Sequence, residues 1–273
     1  MKIRCGYEIS YDVGQPSPML LCLNIHPDRT GDLESPDEIR FSRPVHRTDY
    51  RDMFGNRCLR IKAEPGPLVI SNEFVVRDSG RVDDVAPDAI QHAVEDLPPE
   101  TLVYLLGSRY CETDRLADTA WSLFGHLPKG WPLVQAIVDY AHHRITFGYQ
   151  FARPTKTAFE AHQEREGVCR DFAHLAVTLC RCMNVPARYA TGYLGDIGVP
   201  PVDAPMDFSA WFEVYLGNRW YTFDARHNVP RIGRVVMARG RDATDVAIVT
   251  SFGNCVLQGF KVLTDEVPEE RTI

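Results

Sequence analysis

The sequence has no uninterrupted run of about 18 apolar residues, the length a helix needs to cross a bilayer, so no membrane span is expected. It has no excess of basic residues: 30 Lys and Arg stand against 37 Asp and Glu, giving a net charge of −7. That balance argues against nucleic acid or an acidic membrane surface as the main partner. The opening Met1-Lys2-Ile3-Arg4-Cys5-Gly6-Tyr7 lacks an apolar core followed by a cleavage site, so no signal peptide is expected. Repeats and low-complexity tracts are absent. Cysteines are present but not in the density of a small stapled secreted domain. Cys5, Cys22, Cys58, Cys111, Cys169, Cys180, Cys182 and Cys255 are scattered, and reduced thiols in a cytoplasm are the expectation. Cys180 and Cys182 form a lone C-x-C with no second pair or histidine cluster nearby, so no zinc site is expected.

What is present is a chain of 273 residues, 44% hydrophobic and 25% charged, the profile of a soluble globular protein of two domains. Residues 1–110 read as β. The run 19–25 is apolar, 56–62 and 68–77 alternate or carry β-branched residues, and Pro, Gly and Asp separate them. Asp52-Met-Phe-Gly-Asn56 reads as a turn with Gly55 and Asn56 at its tip. Short strands at this spacing predict an antiparallel sandwich, and 96–111 reads as the linker out of it. The pattern then turns helical. Helices are predicted over 113–124, with Thr113 or Asp114 as cap, from Trp131-Pro132 to about 143, over 158–165, and from Cys169 to about 184. Strands follow at 187–193, 208–216, 219–224 and 235–238, and helices followed by an antiparallel sheet make an α+β domain over 111–273.

The helix that begins at Cys169 draws the chemical argument. Gly167 breaks the chain, and Phe172, Leu175, Ala176, Leu179 and Met183 then recur at helical spacing. Cys169 therefore stands in the first turn, where free N–H groups and the helix dipole favour a thiolate and lower the thiol's pKa. A nucleophile and a packed core cysteine both suit that position.

A register argument places the polar partners. Leu216-Gly217-Asn218-Arg219 signals a hairpin with a two-residue loop, Gly217 suiting the first position of a type II′ turn. Leu216 then faces Arg219, Glu213 faces Thr222 and Trp211 faces Asp224. Ser209 and Asp224 come to lie diagonally on one face, about 7–8 Å apart between backbones.

The stretch 167–175, Gly-Val-Cys-Arg-Asp-Phe-Ala-His-Leu, resembles the nucleophile motif of the bacterial transglutaminase-like cysteine protease superfamily. Pro186-Ala-Arg-Tyr-Ala-Thr-Gly-Tyr193 resembles its next strand. Asp207-Phe-Ser-Ala-Trp-Phe-Glu-Val-Tyr215 resembles the family's Asp-x-His-Ala-Trp-x-Glu-Val-Tyr strand, and Trp220-Tyr-Thr-Phe-Asp224 the strand that bears the third catalytic residue. Gly240-Arg-Asp-Ala-Thr-Asp-Val-Ala247 resembles a C-terminal signature, and 52–56 is similar to part of the family's N-terminal β-sandwich domain. The resemblance implies a β-sandwich at 1–110 followed by a papain-like, transglutaminase-like core at 111–273. It also implies a cysteine that attacks a carboxamide carbonyl, a histidine that shuttles the proton and an aspartate that orients the histidine. The thioester formed would be resolved by water or by an amine. Such chemistry needs no cofactor, and no acidic loop stands out to hold the calcium that some eukaryotic transglutaminases use.

Cys169 and Asp224 carry over position for position. The histidine does not: Ser209 stands in its place, and a serine hydroxyl has no pKa near neutrality with which to act as base. His227, three residues past Asp224, is the candidate replacement if the chain folds back after Ala225; the alternative is a loop histidine in water. His174 lies about 140° round the helix from Cys169 and reads as packed or on the helix surface. His26 approaches only if the domains pack face to face, and His142 and His143 suit the negative end of their helix. Arg170 and Asp171 read as a structural pair. Trp211 and Trp220 either wall a substrate site or fill the core. Tyr149 or Gln163 could add an oxyanion donor to the Cys169 N–H, and Arg226 and Arg231 either grip a carboxylate or phosphate or lie solvated. Two classes of function follow: a cysteine-dependent amide hydrolase or acyl-transferase acting on a peptide or small amide, or a non-catalytic protein that binds through the same cleft.

Overall fold

In the opening segment Ile3, Cys5, Tyr7 and Ile9 alternate with other residues, and all four are buried, the period of two that a strand requires. The computed structural model describes residues 1–202 and 206–268. Its first half contains β1 (Lys2–Val13), β2 (Ser17–Leu21), β3 (Arg40–Phe41), β4 (His46–Arg51), β5 (Arg57–Ala63) and β6 (Gly66–Arg77). Next come α1 (Pro99–Leu102), α2 (Thr113–Phe124), α3 (Trp131–Arg144), β7 (Thr146–Phe147), α4 (Ala158–Glu164), β8 (Glu166–Gly167) and α5 (Cys169–Cys182). The chain ends with β9 (Ala187–Tyr193), β10 (Ser209–Leu216), β11 (Arg219–Phe223), β12 (Val235–Gly240), β13 (Val249–Ser251) and β14 (Cys255–Val267). The architecture is α+β, with antiparallel sheets and one short parallel pair, β7 with β8.

The first two sheets run β14-β1-β6-β3 and β13-β2-β5-β4 and enclose one apolar core. Their membership differs from the division read in the sequence. The sequence pattern divides the chain at 110/111, which assigns 249–267 to the second domain. Those residues instead pair with the first: Lys2 stands opposite Val267, Val13 opposite Cys255, and Leu21 opposite Val249. The stretch 96–111 is also more ordered than a linker, with α1 and two short 3-10 turns.

The third sheet runs β11-β10-β9-β12 and carries helices on one face. Its core joins Phe212, Val214 and Leu216 to apolar residues of α2, α3, α4 and α5. All residues of α5 from Asp171 to Cys182 are buried, so this helix is central rather than half-exposed. The buried Arg181 on it is fully engaged, donating to the carbonyls of Ala187, Leu106 and Arg241. The other face of the sheet enters the sandwich, where Tyr193, Phe208, Val235 and Met237 join the first core. The buried Asn56 side chain completes the seam, donating to Arg239 O at 2.7 Å and accepting from Arg239 N at 2.9 Å.

The hairpin has the expected register, with Glu213 opposite Thr222 and Leu216 opposite Arg219. Its turn differs. Gly217 and Asn218 both have positive φ, 52° and 65°, which is type I′ rather than II′. Asparagine tolerates that region, so the Gly-Asn pair fills both left-handed positions. Helix α2 is capped by Glu112 without a side-chain bond, so neither Thr113 nor Asp114 is its cap.

Candidate active site

Three local devices assemble the site. The first is the entry to α5. Asp171 Oδ2 accepts the Val168 N–H at 2.9 Å, and a Cβ at Gly167 would stand 2.7 Å from that same oxygen. Glycine is required there by space, and the closure of the turn presents Cys169 as the first helical residue. Asp171 is buried, its carboxyl raised by burial, and Arg170 pairs with it at 3.2 Å, so both residues are structural.

The second device is the end of β11. Asp224 Oδ1 accepts the N–H groups of both Arg226 and His227 at 3.0 Å, and its carbonyl accepts the Asn228 N–H at 2.8 Å. Asn228 takes φ +52° and is held by Asp139 and Gln135 of α3, while Ala225 O accepts from His142. The chain therefore turns back on itself immediately after the strand. His227 Nδ1 comes to 2.8 Å from Asp224 Oδ2, the oxygen that also accepts from Arg234 Nη2 at 2.9 Å. Burial would raise this carboxyl, but the Arg234 guanidinium and then His227 outweigh it and hold it well below the usual range.

The third device is the start of β10, where Ala210 packs in the cluster against which Cys169 rests. Burial pushes this thiol up to about 11, against the opposing pull of Arg226 and the Ala210 N–H; Asp207 and Asp224 add to the rise. Position at a helix start alone led to the opposite expectation. Withdrawal of the sulfur from water outweighs the favourable field of the helix end.

Cys169, Ser209 and His227 line one cavity of about 300 Å³, together with Tyr149, Asp207 and Arg226. A second cavity of about 430 Å³ adjoins it, lined by Tyr110, Val168, Tyr189, Ala210 and Val246 among others. Tyr149, Cys169, Asp207 and Phe208 belong to both, so the sulfur sits where two arms of a cleft meet. With Nδ1 committed to Asp224, His227 Nε2 has no hydrogen-bond partner among the described residues.

Other residues singled out in the sequence lie elsewhere. Trp211 and Trp220 line neither arm. Trp211 is buried among Ala190 and Val236 with the Arg234 guanidinium 5.1 Å from its ring, and Trp220 packs on Tyr104 and Tyr215. His174 is fully buried, accepts the Ala243 N–H at 3.1 Å and stacks on Tyr110; burial takes it down to about 3. His26 is buried at the seam beside Arg239, its pKa lowered to about 4, chiefly by burial. Gln163 is exposed on α4. Two residues of the site were not singled out: Arg234, the partner of Asp224, and Asp207, whose place two residues before Ser209 in the strand motif was the available signal. Among the described residues no group of three or more His, Cys, Asp or Glu is placed to hold a metal ion, and no helix is long and apolar enough to cross a membrane.

A family model described as the transglutaminase-like superfamily matches residues 127–225, which include α5 with Cys169 and run through β11 to Asp224. The structure of a "putative cysteine protease" from Cytophaga hutchinsonii is 30% identical and covers 100% of this chain and 92% of its own, with a TM-score of 0.86. The chain belongs to the transglutaminase-like superfamily. The fold is accordingly transglutaminase-like, joined to the sandwich. An uncharacterized protein of Mycobacterium leprae is 34% identical over 98 residues, 33% of each chain. One from Mycobacterium tuberculosis is 33% identical over 175 residues, 58% of this chain and 54% of that one. The chain thus spans between a third and about half of the curated relatives it matches.

Proposed function

We propose that this transglutaminase-like protein is a cysteine-dependent amide hydrolase or acyl-transferase acting on a peptide or small amide. The supporting observation is the 2.8 Å contact of His227 Nδ1 with Asp224 Oδ2, which leaves Nε2 without a partner among the described residues on a side chain that lines the same cavity as Cys169. His227 takes the thiol proton as sulfur attacks the amide carbon, and returns it to the nitrogen as the C–N bond breaks. Asp224 fixes the ring and stabilises the imidazolium formed. The Cys169 N–H, at the helix start, faces the developing oxyanion. Water or a second amine, deprotonated by His227, then releases the acyl group from sulfur. Because the resting thiol is largely protonated, proton removal accompanies attack rather than preceding it. The histidine reaches its aspartate from a loop instead of from position 209, so a serine there does not remove the base. Eight free thiols suit a reducing compartment, and a cytoplasmic location goes with this reading.

A second reading, a binding protein that uses the same cleft, is favoured by Ser209 and by the raised thiol. p-Nitrophenyl acetate separates the two. The enzyme reading expects a burst of p-nitrophenolate with acetyl on Cys169, abolished by Cys169→Ala and slowed by His227→Ala. Acetylation no faster than that of the other thiols, and indifferent to His227, would leave the binding reading.

A further inference from the structure

We infer that Arg226 and Arg231 form a carboxylate-binding subsite beside Cys169, so that the amine half of the substrate carries a carboxylate. The inference rests on the cysteine-nucleophile reading above and adds the chemical class of what leaves. Arg226 has its backbone fixed by Asp224 and its guanidinium 3.8 Å from the Phe147 ring centroid, yet it makes no hydrogen bond or ion pair with a described residue. Other arginines in and around the site are engaged: Arg181 on carbonyls, Arg188 and Arg239 on Glu213, Arg234 on Asp83 and Asp224. Arg231 is 5% exposed, with Nη2 on Gly195 O at 2.8 Å and its Nε buried without a partner. A buried guanidinium donor left unpaired is costly and marks a place where an acceptor belongs.

Two acids share the cavity. Asp196 Oδ2 accepts the Val202 N–H at 2.8 Å and its Oδ1 stands 3.9 Å from Arg231. Asp207 accepts the Phe208 N–H at 2.6 Å, and burial raises its carboxyl above the usual range. Neither forms an ion pair with Arg226. They do oppose a doubly charged anion more than a singly charged one, so the planar carboxylate, matched by the guanidinium fork, suits the site better than phosphate. The side of the cleft follows from His227, which lines this arm and not the other. The group that receives its proton, the departing amine, leaves into this arm. The acyl half then occupies the larger arm beyond the sulfur.

Alkylation tests this without a known substrate. The rates of Cys169 modification by iodoacetate and by iodoacetamide are measured at pH 9, with glutathione as the reference thiol. Taking their ratio cancels the thiolate fraction. The ratio for Cys169 is expected to exceed that of glutathione by about tenfold or more. Arg226→Gln should return it toward the glutathione value, and Arg226→Lys, which keeps charge without the fork, should fall between. Modification by both reagents at the glutathione ratio would overturn the subsite while leaving the nucleophile intact. Modification by neither would overturn the nucleophile reading and the subsite with it. Slowing of the iodoacetate reaction by inorganic phosphate but not by acetate would overturn the carboxylate assignment.

Discussion

His227 lies three residues from Asp224 and bonds it twice, through its backbone N–H to Oδ1 at 3.0 Å and through Nδ1 to Oδ2 at 2.8 Å. Backbone and ring are thus both referred to one carboxylate, which is itself pinned by Arg234. His227→Ala should slow acylation of Cys169 by about 10²-fold or more, the usual worth of a positioned base. Adding Ser209→His should restore part of that rate, because position 209 lines the same cavity as Cys169 and His227. Burst kinetics with p-nitrophenyl acetate read both variants, and an unchanged rate in His227→Ala would remove this histidine from the mechanism.

The resting thiol should titrate well above a free cysteine, toward 11, because burial dominates its surroundings. Ultraviolet absorbance of the thiolate, compared between native protein and Cys169→Ala, measures this directly. At pH 7 the signal should be absent. A thiolate already formed at neutral pH would mean that charge, rather than burial, controls the sulfur.

Gly167→Ala should destabilise the fold by about 1–3 kcal/mol, since the added methyl meets the buried Asp171 carboxylate at 2.7 Å. Urea unfolding followed by tryptophan fluorescence checks it. Loss of acylation should accompany the loss of stability, because the same turn presents Cys169.

Buried His174 gives stability a definite dependence on acid. Its folded pKa, lowered to about 3 by burial, lies below the unfolded value near 6.5. Between these values the unfolded chain binds the extra proton, so stability rises with pH across the window, by up to about 1.4 kcal/mol per unit, and is flat above it. His174→Gln keeps an acceptor for the Ala243 N–H and should flatten the slope between pH 4 and 6.5. Depressed Asp224 acts in the same direction at lower pH, where its contribution is lost as the carboxyl protonates.

The helices and the hairpin were legible because they rest on local patterns: the apolar spacing from Phe172 onward, Pro132 in a first turn, Gly-Asn between two alternating runs. The family resemblance singles out Cys169 and Asp224 as candidates, and the hairpin register alone sets Ser209 diagonal to Asp224. His227 was legible as a candidate, but its capture by Asp224 depends on a five-residue turn held by α3, a contact from distant sequence. Arg234 was missed because an arginine after a loop looks solvated until both of its acidic partners, Asp83 and Asp224, are known. The rise of the thiol was invisible for a similar reason: the helix end is local, whereas burial comes from Tyr189, Ala210 and the sandwich. The placement of 249–267 was equally invisible, because strand alternation says nothing about which sheet receives the strand.

Pairing of β1 with β14 spans about the widest sequence separation in the chain, Lys2 with Val267. During synthesis β1 must wait with one edge open until β14 has left the ribosome. Non-local closure of this kind is slow, and an open edge invites pairing with other molecules. Yield on expression should therefore depend on translation speed and chaperone supply more than the stability of the finished fold would suggest.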